Sequence, residues 1–394
     1  MTSTSTPRIL FATIAAGGSH VSSAQAMSEA VVKHVPHSDT SVTELMIDLG
    51  FEKFDRRHKE GWKRALRNPW SIVWGQALVD RFPYLTVTLQ RWFLRGFAKC
   101  AAERLKQDRP DLIVVNHAWL TVALTLAQTE YDLDIPILTF ETSTINANGL
   151  WADRRAERFM VGSAVSKERL IRFGVLAERI DVVGYPVRRA FLETPPAREA
   201  RERLGLADRF TVLVALGGEG EGGAPEIVIE TLRNLDPSLQ VVVIVGRNQA
   251  LKEVLEDSYS NMPHLHVEGF TDRMATFVAA SDVTIAKTGP ATVCEILAVG
   301  RPIIAPSRYG GDENVLIDIL DREGLGHYVP DPRRLADAVQ TYRDSSSARA
   351  AFARKVEALD FRGMSERVGS YICHYASTRT VDTNVIGRGL PFGR

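Results

Sequence analysis

Short unbroken apolar runs recur along this chain, separated by longer segments of mixed polarity. Ile9-Leu10-Phe11-Ala12-Thr13-Ile14 is the first of them, and Asp111-Leu112-Ile113-Val114-Val115-Asn116 brackets another between polar residues. Runs of this length without alternation read as strands buried on both faces, the pattern of parallel sheets. In the first half they predict strands over 8–14, 41–47, 111–116, 136–140 and 158–161, with a helix over 22–34. The pattern changes around Val183-Gly184-Tyr185-Pro186, and 193–201, rich in Pro, Ala and charge, reads as an interdomain linker. A new series then opens with strands over 211–216, 240–245, 265–267, 283–286 and 302–305, each followed by a helix or loop. Such βα alternation implies parallel sheets with right-handed crossovers, an α/β class. From 378 onward the periodicity is weak, which predicts a loosely ordered tail.

Length and composition narrow the picture. At 394 residues the chain exceeds one ordinary core, so two domains are expected. Hydrophobic residues at 45% and charged residues at 24% suit a globular protein. Cys100, Cys294 and Cys373 lie far apart without metal-ligand spacing, which fits a reducing cytoplasm and argues against a disulfide framework or structural zinc. The polar start predicts no secretory signal, and the lack of a long apolar stretch predicts no membrane-spanning helix.

The net charge of zero conceals one strongly basic segment. Residues 51–106 hold thirteen Lys and Arg side chains, Arg91 among them, against five acidic ones, for a net of +8. Four of the six tryptophans, Trp62, Trp70, Trp74 and Trp92, fall there. Two or three helices are expected, broken at Pro69 and Pro83. Indoles interleaved with cations suit the headgroup region of an anionic membrane, at about 1 kcal/mol per cation. Amphipathic helices that bury the indoles and solvate the charges are the other reading of the same segment.

Two glycine turns stand where a strand hands over to a helix. Gly17-Gly18-Ser19-His20 follows the first apolar run, and Lys287-Thr288-Gly289-Pro290-Ala291-Thr292-Val293-Cys294-Glu295 follows Val283-Thr284-Ile285-Ala286. Turns of this kind leave backbone N–H groups free at a helix N-terminus, where an anion can sit. His20 has the ordinary pKa for proton abstraction near neutrality, or else caps its own helix. His117, at a strand end, either serves the same chemistry or plays a structural part. Glu295 lies three residues after Thr292, so both can face one ligand, or the glutamate closes a capping box.

Taken in order, these segments resemble the GT-B glycosyltransferases, most closely the monogalactosyldiacylglycerol synthase family, over 8–339. Gly217-Gly218-Glu219-Gly220-Glu221-Gly222 is similar to that family's glycine-rich loop, and Val245-Gly246-Arg247-Asn248 to its Gly-Arg-Asn turn. Val267-Glu268-Gly269-Phe270, with Met274, resembles the base-receiving loop, and 286–295 the Lys-x-Gly-Pro-x-Thr-x-x-Glu signature. Gly310-Gly311-Asp312-Glu313-Asn314 stands where the family reads the sugar. In the first half Gly17-Gly18-Ser19-His20 with Ser23-Ala24, Asn116-His117, Trp151 and Gly184-Tyr185-Pro186-Val187 also match. Ser19 replaces a glycine, Phe140-Glu141 a threonine-aspartate pair, His117 lacks a following proline, and Asp312 takes the place of glutamine.

The resemblance implies two Rossmann-like domains facing across a cleft: 1–192 for acceptor and membrane, 202–360 for a UDP-sugar, then 361–394 as a C-terminal helix and tail. It implies inverting transfer of galactose or glucose to a lipid such as diacylglycerol at the cytoplasmic membrane face. His20 is then the base, with His117 beside it. Gly217, Gly218, Glu219, Gly220, Arg247, Phe270, Lys287, Gly289, Pro290, Thr292, Glu295, Asp312, Glu313 and Asn314 hold the donor. Gly18, Ser19, Trp62, Trp70, Trp74, Arg91 and Trp92 meet acceptor and membrane. No Asp-x-Asp pair sits in a convincing loop, so no metal or other cofactor is expected. Related alternatives are a soluble or peptidoglycan-precursor acceptor, a UDP-sugar 2-epimerase, and a UDP-sugar-binding protein without turnover. No complete GxGxxG follows the first strand, which argues against NAD, and no nucleic-acid motif accompanies the basic segment.

Overall fold

A computed structural model describes residues 7–15, 18–66, 69–218, 220, 225–308, 311–387 and 389–390; the side chains of 62, 63, 66, 69, 311 and 312 also lie outside the description. The chain forms two compact units, one of Met1–Arg188 with Phe361–Arg394, the other of Arg189–Arg308 with Glu313–Asp360. Each is built on a six-stranded sheet in which every pairing is parallel.

The first sheet comprises β1 (Arg8–Thr13), β2 (Asp39–Glu44), β3 (Leu112–Val115), β4 (Ile137–Glu141), β5 (Arg158–Val161) and β6 (Ile180–Val182), in the order β2-β1-β3-β4-β5-β6. β3 and β4 are buried at every position, as their unbroken apolar runs require. β2 begins and ends earlier than 41–47, because its register pairs Arg8 with Asp39 and Thr13 with Glu44. Leu45 and Met46 then turn into a short helix and enter the core. The three-residue β6 has too little apolar sequence to announce itself.

The basic segment forms helices Glu52–Leu66, Pro69–Arg81, Pro83–Phe93 and Arg95–Asp108. The two prolines begin helices, where their missing N–H groups are not needed. Arg91 does not face a membrane. Its guanidinium donates to Asp153 at 2.9 Å and to Thr129 at 2.8 Å, with both charged partners buried. This pair ties helix Pro83–Phe93 to the loop after β4.

The second sheet comprises β7 (Thr211–Ala215), β8 (Gln240–Ile244), β9 (Leu265–Glu268), β10 (Val283–Ala286), β11 (Ile303–Ala305) and β12 (Gly326–Tyr328), in the order β12-β11-β10-β7-β8-β9. Part of the expected linker is structured: helix Ala197–Arg203 buries Ala200 and Arg201. The Arg201 guanidinium donates to the Ala280 carbonyl at 2.9 Å and to Asp282 at 2.7 Å, which fixes the helix within the second unit.

The expected C-terminal helix is present, and the tail after it departs from expectation. Helix Phe361–Thr378 packs on helix Gly18–His34 in the first unit, and Gly369 permits the approach, since a Cβ there would lie 2.5 Å from the Ala30 carbonyl oxygen. Tyr371 donates to Asp181 at 2.6 Å, and Asp181 pairs with Arg158 at 2.6 Å. The described part of the tail beyond is held rather than loose: Gly387 N–H donates to the Val182 carbonyl and Leu390 N–H to the Gly162 carbonyl, each at 2.8 Å.

Replacing Arg91 with Ala should destabilise the protein by about 3–5 kcal/mol, because it leaves a buried carboxylate unpaired. Urea denaturation of the two proteins measures this; an unchanged midpoint would mean that the pair is solvated.

Candidate functional site

In the first sheet, β2 lies on one side of β1 and β3 on the other, so the chain reverses its direction of travel between β1 and β3. The carboxyl ends of such a pair leave a crevice where ligands bind. His20 and Asn116 emerge there. The His20 Nδ1–H donates to the Asn116 backbone carbonyl at 2.6 Å, and Thr142 Oγ1 lies 3.4 Å from the same nitrogen. A carbonyl only accepts, so the proton resides on Nδ1 and Nε2 keeps its lone pair. The Asn116 amide donates to the His20 carbonyl and, at 2.9 Å, to Ser23 Oγ, gripping the same turn a second time. Ser19 is half-buried at the head of this helix and Gly18 is exposed; Gly17 lies outside the described residues.

His117 is engaged differently. Its Nδ1 accepts the Trp119 N–H at 3.2 Å, capping helix Ala118–Glu130. Orientation of His20 therefore comes from Asn116, while the His117 ring stands 4.7 Å away, centroid to centroid. A third imidazole, His58, meets the His117 ring edge-on at 5.3 Å. Sequence reasoning passed over it, although Asp55 and Lys59 on the same helix form an ion pair at 2.7 Å, and Lys59 pairs with Glu44 at 2.7 Å. Charged residues three or four apart within an otherwise aromatic stretch were the available signal. Glu141, in place of the family's aspartate, is fully buried and accepts the Ser143 N–H at 2.7 Å; burial raises its pKa.

Burial pushes the His20 pKa down to about 4, against the pull of the Asn116 carbonyl, with His58 adding a further downward push. His58 is lowered by burial against the influence of Asp55, and His117 is held well below 6.5 by burial and then by its two imidazole neighbours. All three rings are therefore neutral near pH 7.

In the second sheet, the equivalent reversal falls between β7 and β10. Gly220, at φ 67°, has no room for a side chain, since a Cβ would meet the Val245 carbonyl at 2.1 Å. Gly246 is similar, at φ 60° and 2.5 Å from the Gly217 and Gly218 carbonyls. The Arg247 N–H donates to the Gly218 carbonyl at 3.0 Å, so the two glycine turns interlock. Asn248 caps helix Gln249–Ser258 through the Leu251 N–H. The Arg247 guanidinium lies over the Phe270 ring at 4.3 Å, and that ring is 62% exposed. These residues make an open shelf of backbone, cation and aromatic face; Glu219 lies outside the described residues.

After β10, Lys287 pairs with Glu313 at 3.0 Å. Burial raises the Glu313 pKa against the Lys287 charge, and its Oε2 is buried without a hydrogen-bond partner among the described residues. Gly289 is the N-cap of helix Pro290–Ala298 with no side-chain cap, which leaves the first-turn N–H groups for a ligand. Because the cap is Gly289, Glu295 lies two turns in and is no capping-box residue; Thr292 is half-buried one turn nearer the cap. Asn314 is half-buried, and the side chain of Asp312 lies outside the description.

The expected membrane residues separate into two groups. Trp70, Trp74 and Trp92 are 71%, 72% and 73% exposed, with Leu78, Tyr84, Leu85, Leu89 and Phe93 exposed around them. Arg91 is buried, as above, and the Trp62 side chain lies outside the description. No helix of the described residues is long and apolar enough to cross a membrane.

Comparison with known proteins places this geometry. Residues 211–318, which span β7, the glycine loops and β10, match the family model for the glycosyltransferase family 28 C-terminal domain. That matching segment lies almost wholly within the second unit. Spinacia oleracea chloroplastic monogalactosyldiacylglycerol synthase is 28% identical over 256 residues, covering 62% of this chain and 49% of that protein. A processive diacylglycerol beta-glucosyltransferase of Staphylococcus epidermidis is 24% identical over 300 residues, covering 69% and 76%. The chain thus spans about half the length of the plant synthase and three quarters of the bacterial enzyme. Among solved structures, Anabaena HepE in complex with UDP and glucose superposes with TM-score 0.55 at 17% identity, covering 94% of this chain and all of the other. UDP-GlcNAc 2-epimerase of Neisseria meningitidis bound to UDP-GlcNAc gives 0.60 at 11% identity, covering 95% of this chain. The architecture is GT-B, and the family resemblance read from the ordered motifs is borne out.

The depressed histidines tie stability to pH. Between about pH 4 and 6.5 the unfolded chain binds more protons at His20 than the folded one, so stability falls as pH drops through that window. Thermal unfolding across the window should show this slope, and His20→Asn should flatten it. An NMR titration placing His20 near 6.5 would sink the assignment.

Proposed function

We propose that this protein is a UDP-sugar-dependent glycosyltransferase that transfers hexose with inversion to a lipid alcohol, such as diacylglycerol, at an anionic membrane surface. The observation that carries the reading is His20. Its Nδ1–H is committed to the Asn116 carbonyl, which leaves Nε2 as a neutral base at a strand-end crevice. In the proposed step Nε2 takes the acceptor hydroxyl proton while the oxygen attacks the anomeric carbon. The bond from that carbon to the diphosphate oxygen breaks on the opposite face, and UDP departs.

The family 28 unit holds the donor in this reading. The first-turn N–H groups of helix Pro290–Ala298 and the backbone of Gly217, Gly218 and Gly220 receive the diphosphate, where the helix dipole favours developing negative charge. Arg247 and Phe270 flank the nucleotide, Glu295 accepts from the ribose, and Glu313 offers its unpartnered oxygen to a sugar hydroxyl. With these donors, transfer proceeds without a divalent metal. Galactose and glucose are the candidate sugars, since the spinach and staphylococcal relatives are named for one each.

The GT-B fold is shared with 2-epimerases, so fold alone does not choose the reaction. The relatives' names and the exposed aromatic face favour a lipid. An apolar surface carrying three largely exposed indoles is unusual for a protein that meets only water, and Arg56, Arg57, Arg64, Arg81, Arg95 and Lys99 are exposed on the same helical segment. The proposed location is therefore the cytoplasmic face of the cell membrane, held peripherally.

Incubation with UDP-galactose or UDP-glucose and diacylglycerol in anionic vesicles, with chelator present, should yield UDP and a glycolipid. His20→Ala should lower kcat by roughly 100- to 10,000-fold, the usual range for a general base. UDP release without glycolipid would reject the lipid acceptor, and a chelator-sensitive rate would reject metal independence. Replacing Trp70, Trp74 and Trp92 with Ser should weaken vesicle binding by about tenfold per residue, with added salt weakening it further. Equal sedimentation of variant and parent with vesicles would contradict the membrane role.

A further inference from the structure

Five ring contacts connect the exposed aromatic face of the first unit to its candidate base. Phe93, on helix Pro83–Phe93 and 51% exposed, lies 4.8 Å from Phe54 between centroids. Phe54 is 5.5 Å from Trp119, Trp119 is 3.9 Å from His58, His58 is 5.3 Å from His117, and His117 is 4.7 Å from His20. Phe93 also meets Trp119 edge-on at 5.8 Å.

Local structure explains why the rings line up. Phe54 and His58 are four residues apart on helix Glu52–Leu66 and so share a face. Trp119 lies in the first turn of the helix that His117 caps. The Asp55–Lys59–Glu44 ion network fastens the Phe54/His58 helix at the strand ends, because Glu44 also accepts the Ala15 N–H at 3.2 Å. Behind Trp119, Leu120, Val122, Ala123 and Leu124 are fully buried, whereas Phe54, His58 and Trp119 are only half-buried. The series is therefore a surface seam rather than part of the core.

Its chemistry changes along its length. The outer end is hydrocarbon and indole. At the inner end, no described residue makes a hydrogen bond to either ring nitrogen of His58, or to Nε2 of His20 or His117. His20 Nε2 can accept, His117 Nε2–H can donate and His58 offers one of each, which together satisfy a hydroxyl-bearing head. An apolar track ending in such groups has the polarity of a lipid alcohol.

We propose that the acceptor seats along this seam, its acyl portion over Phe93, Phe54 and Trp119, and its head held by His58 and His117 so that one hydroxyl faces His20 Nε2. The proposal rests on the glycosyl-transfer reading and adds to it the acceptor's route and the positioning role of His58. Leu89, four residues before Phe93 on the same helix, and its neighbour Trp92 are exposed, and these apolar side chains are where a lipid would enter the seam.

The test compares dioleoylglycerol in vesicles with soluble dihexanoylglycerol, using Trp119→Ala, Phe54→Ala, His58→Ala and His58→Asn. Trp119→Ala and Phe54→Ala should raise the KM for the long-chain acceptor by about tenfold or more, with a several-fold smaller effect on the short one, because less acyl surface is covered. Their KM for the UDP-sugar should stay within experimental error of the parent. His58→Ala should lower kcat with both acceptors, and His58→Asn should restore part of it. Equal KM rises for the long and short acceptors in Trp119→Ala and Phe54→Ala, or a parallel rise in donor KM, would overturn the seam in favour of a merely structural role.

A second measurement does not depend on turnover or on the survival of any variant. A diacylglycerol with a photoreactive group beside its glycerol head should label peptides holding Phe54–His58 or His117–Trp119 of the parent protein. Labelling confined to 69–93 would place the lipid at the surface only and reject the route. If the parent labels the seam but glycosylates nothing, the transfer reading fails while the lipid site stands.

Discussion

A parallel sheet covered on both faces has one place left for polar chemistry, the carboxyl ends of its strands. Both sheets of this protein obey that constraint, and their polar groups follow from it. An unbroken apolar strand such as Leu112–Val115 is buried throughout, so the polar side chains of the candidate sites gather beyond the strand ends. Strand order then selects which stops matter. The reversal between β1 and β3 gathers His20, Asn116 and His117, and that between β7 and β10 gathers Gly217, Arg247 and Lys287. His117, Gly217, Arg247 and Lys287 each stand within three residues of a strand end, on backbone that the sheet positions.

What the sequence made legible follows from the same division. Strands buried on both faces declare themselves by composition, so β3, β4, β7 and β10 were readable within a residue or two. Edge elements other than β9 were not. β2 is exposed along much of its length and its limits depend on pairing with β1; β6 and β12 have three residues each. The tail was opaque for a related reason: Gly387 and Leu390 are held by backbone bonds to β5 and β6 neighbours, which carry no side-chain signature.

At the candidate sites, motifs of fixed local geometry were legible and long-range partners were not. Gly246 and Asn248 could be read because a close backbone approach and a helix cap impose residue types. The tautomer of His20 could not, since it is set by the backbone carbonyl of a residue 96 positions away. His58 was passed over for a related reason, as it joins the other two imidazoles only through packing of its helix on the strand ends. Arg91 was misread because net charge counts a guanidinium without its partners, here Asp153 and Thr129 from later segments.

The Arg91 bond also explains how one segment can be both anchor and exposed surface. A helix that shows water or membrane Leu85, Leu89, Trp92 and Phe93 gains little from its outer face, so its position must be fixed from within. Val87, Gln90 and Arg91 supply the inner face, and Arg91 fastens it to a buried carboxylate. Asp80 does the same for helix Pro69–Arg81, accepting the Gly149 N–H at 2.8 Å and pairing with Arg169 at 2.8 Å. Polar bonds inward thus hold rings outward. That inversion of the usual helix pattern is intelligible if the outer face has an apolar medium to enter, and it keeps Phe93 in register with Phe54 and Trp119 whether or not that medium is present.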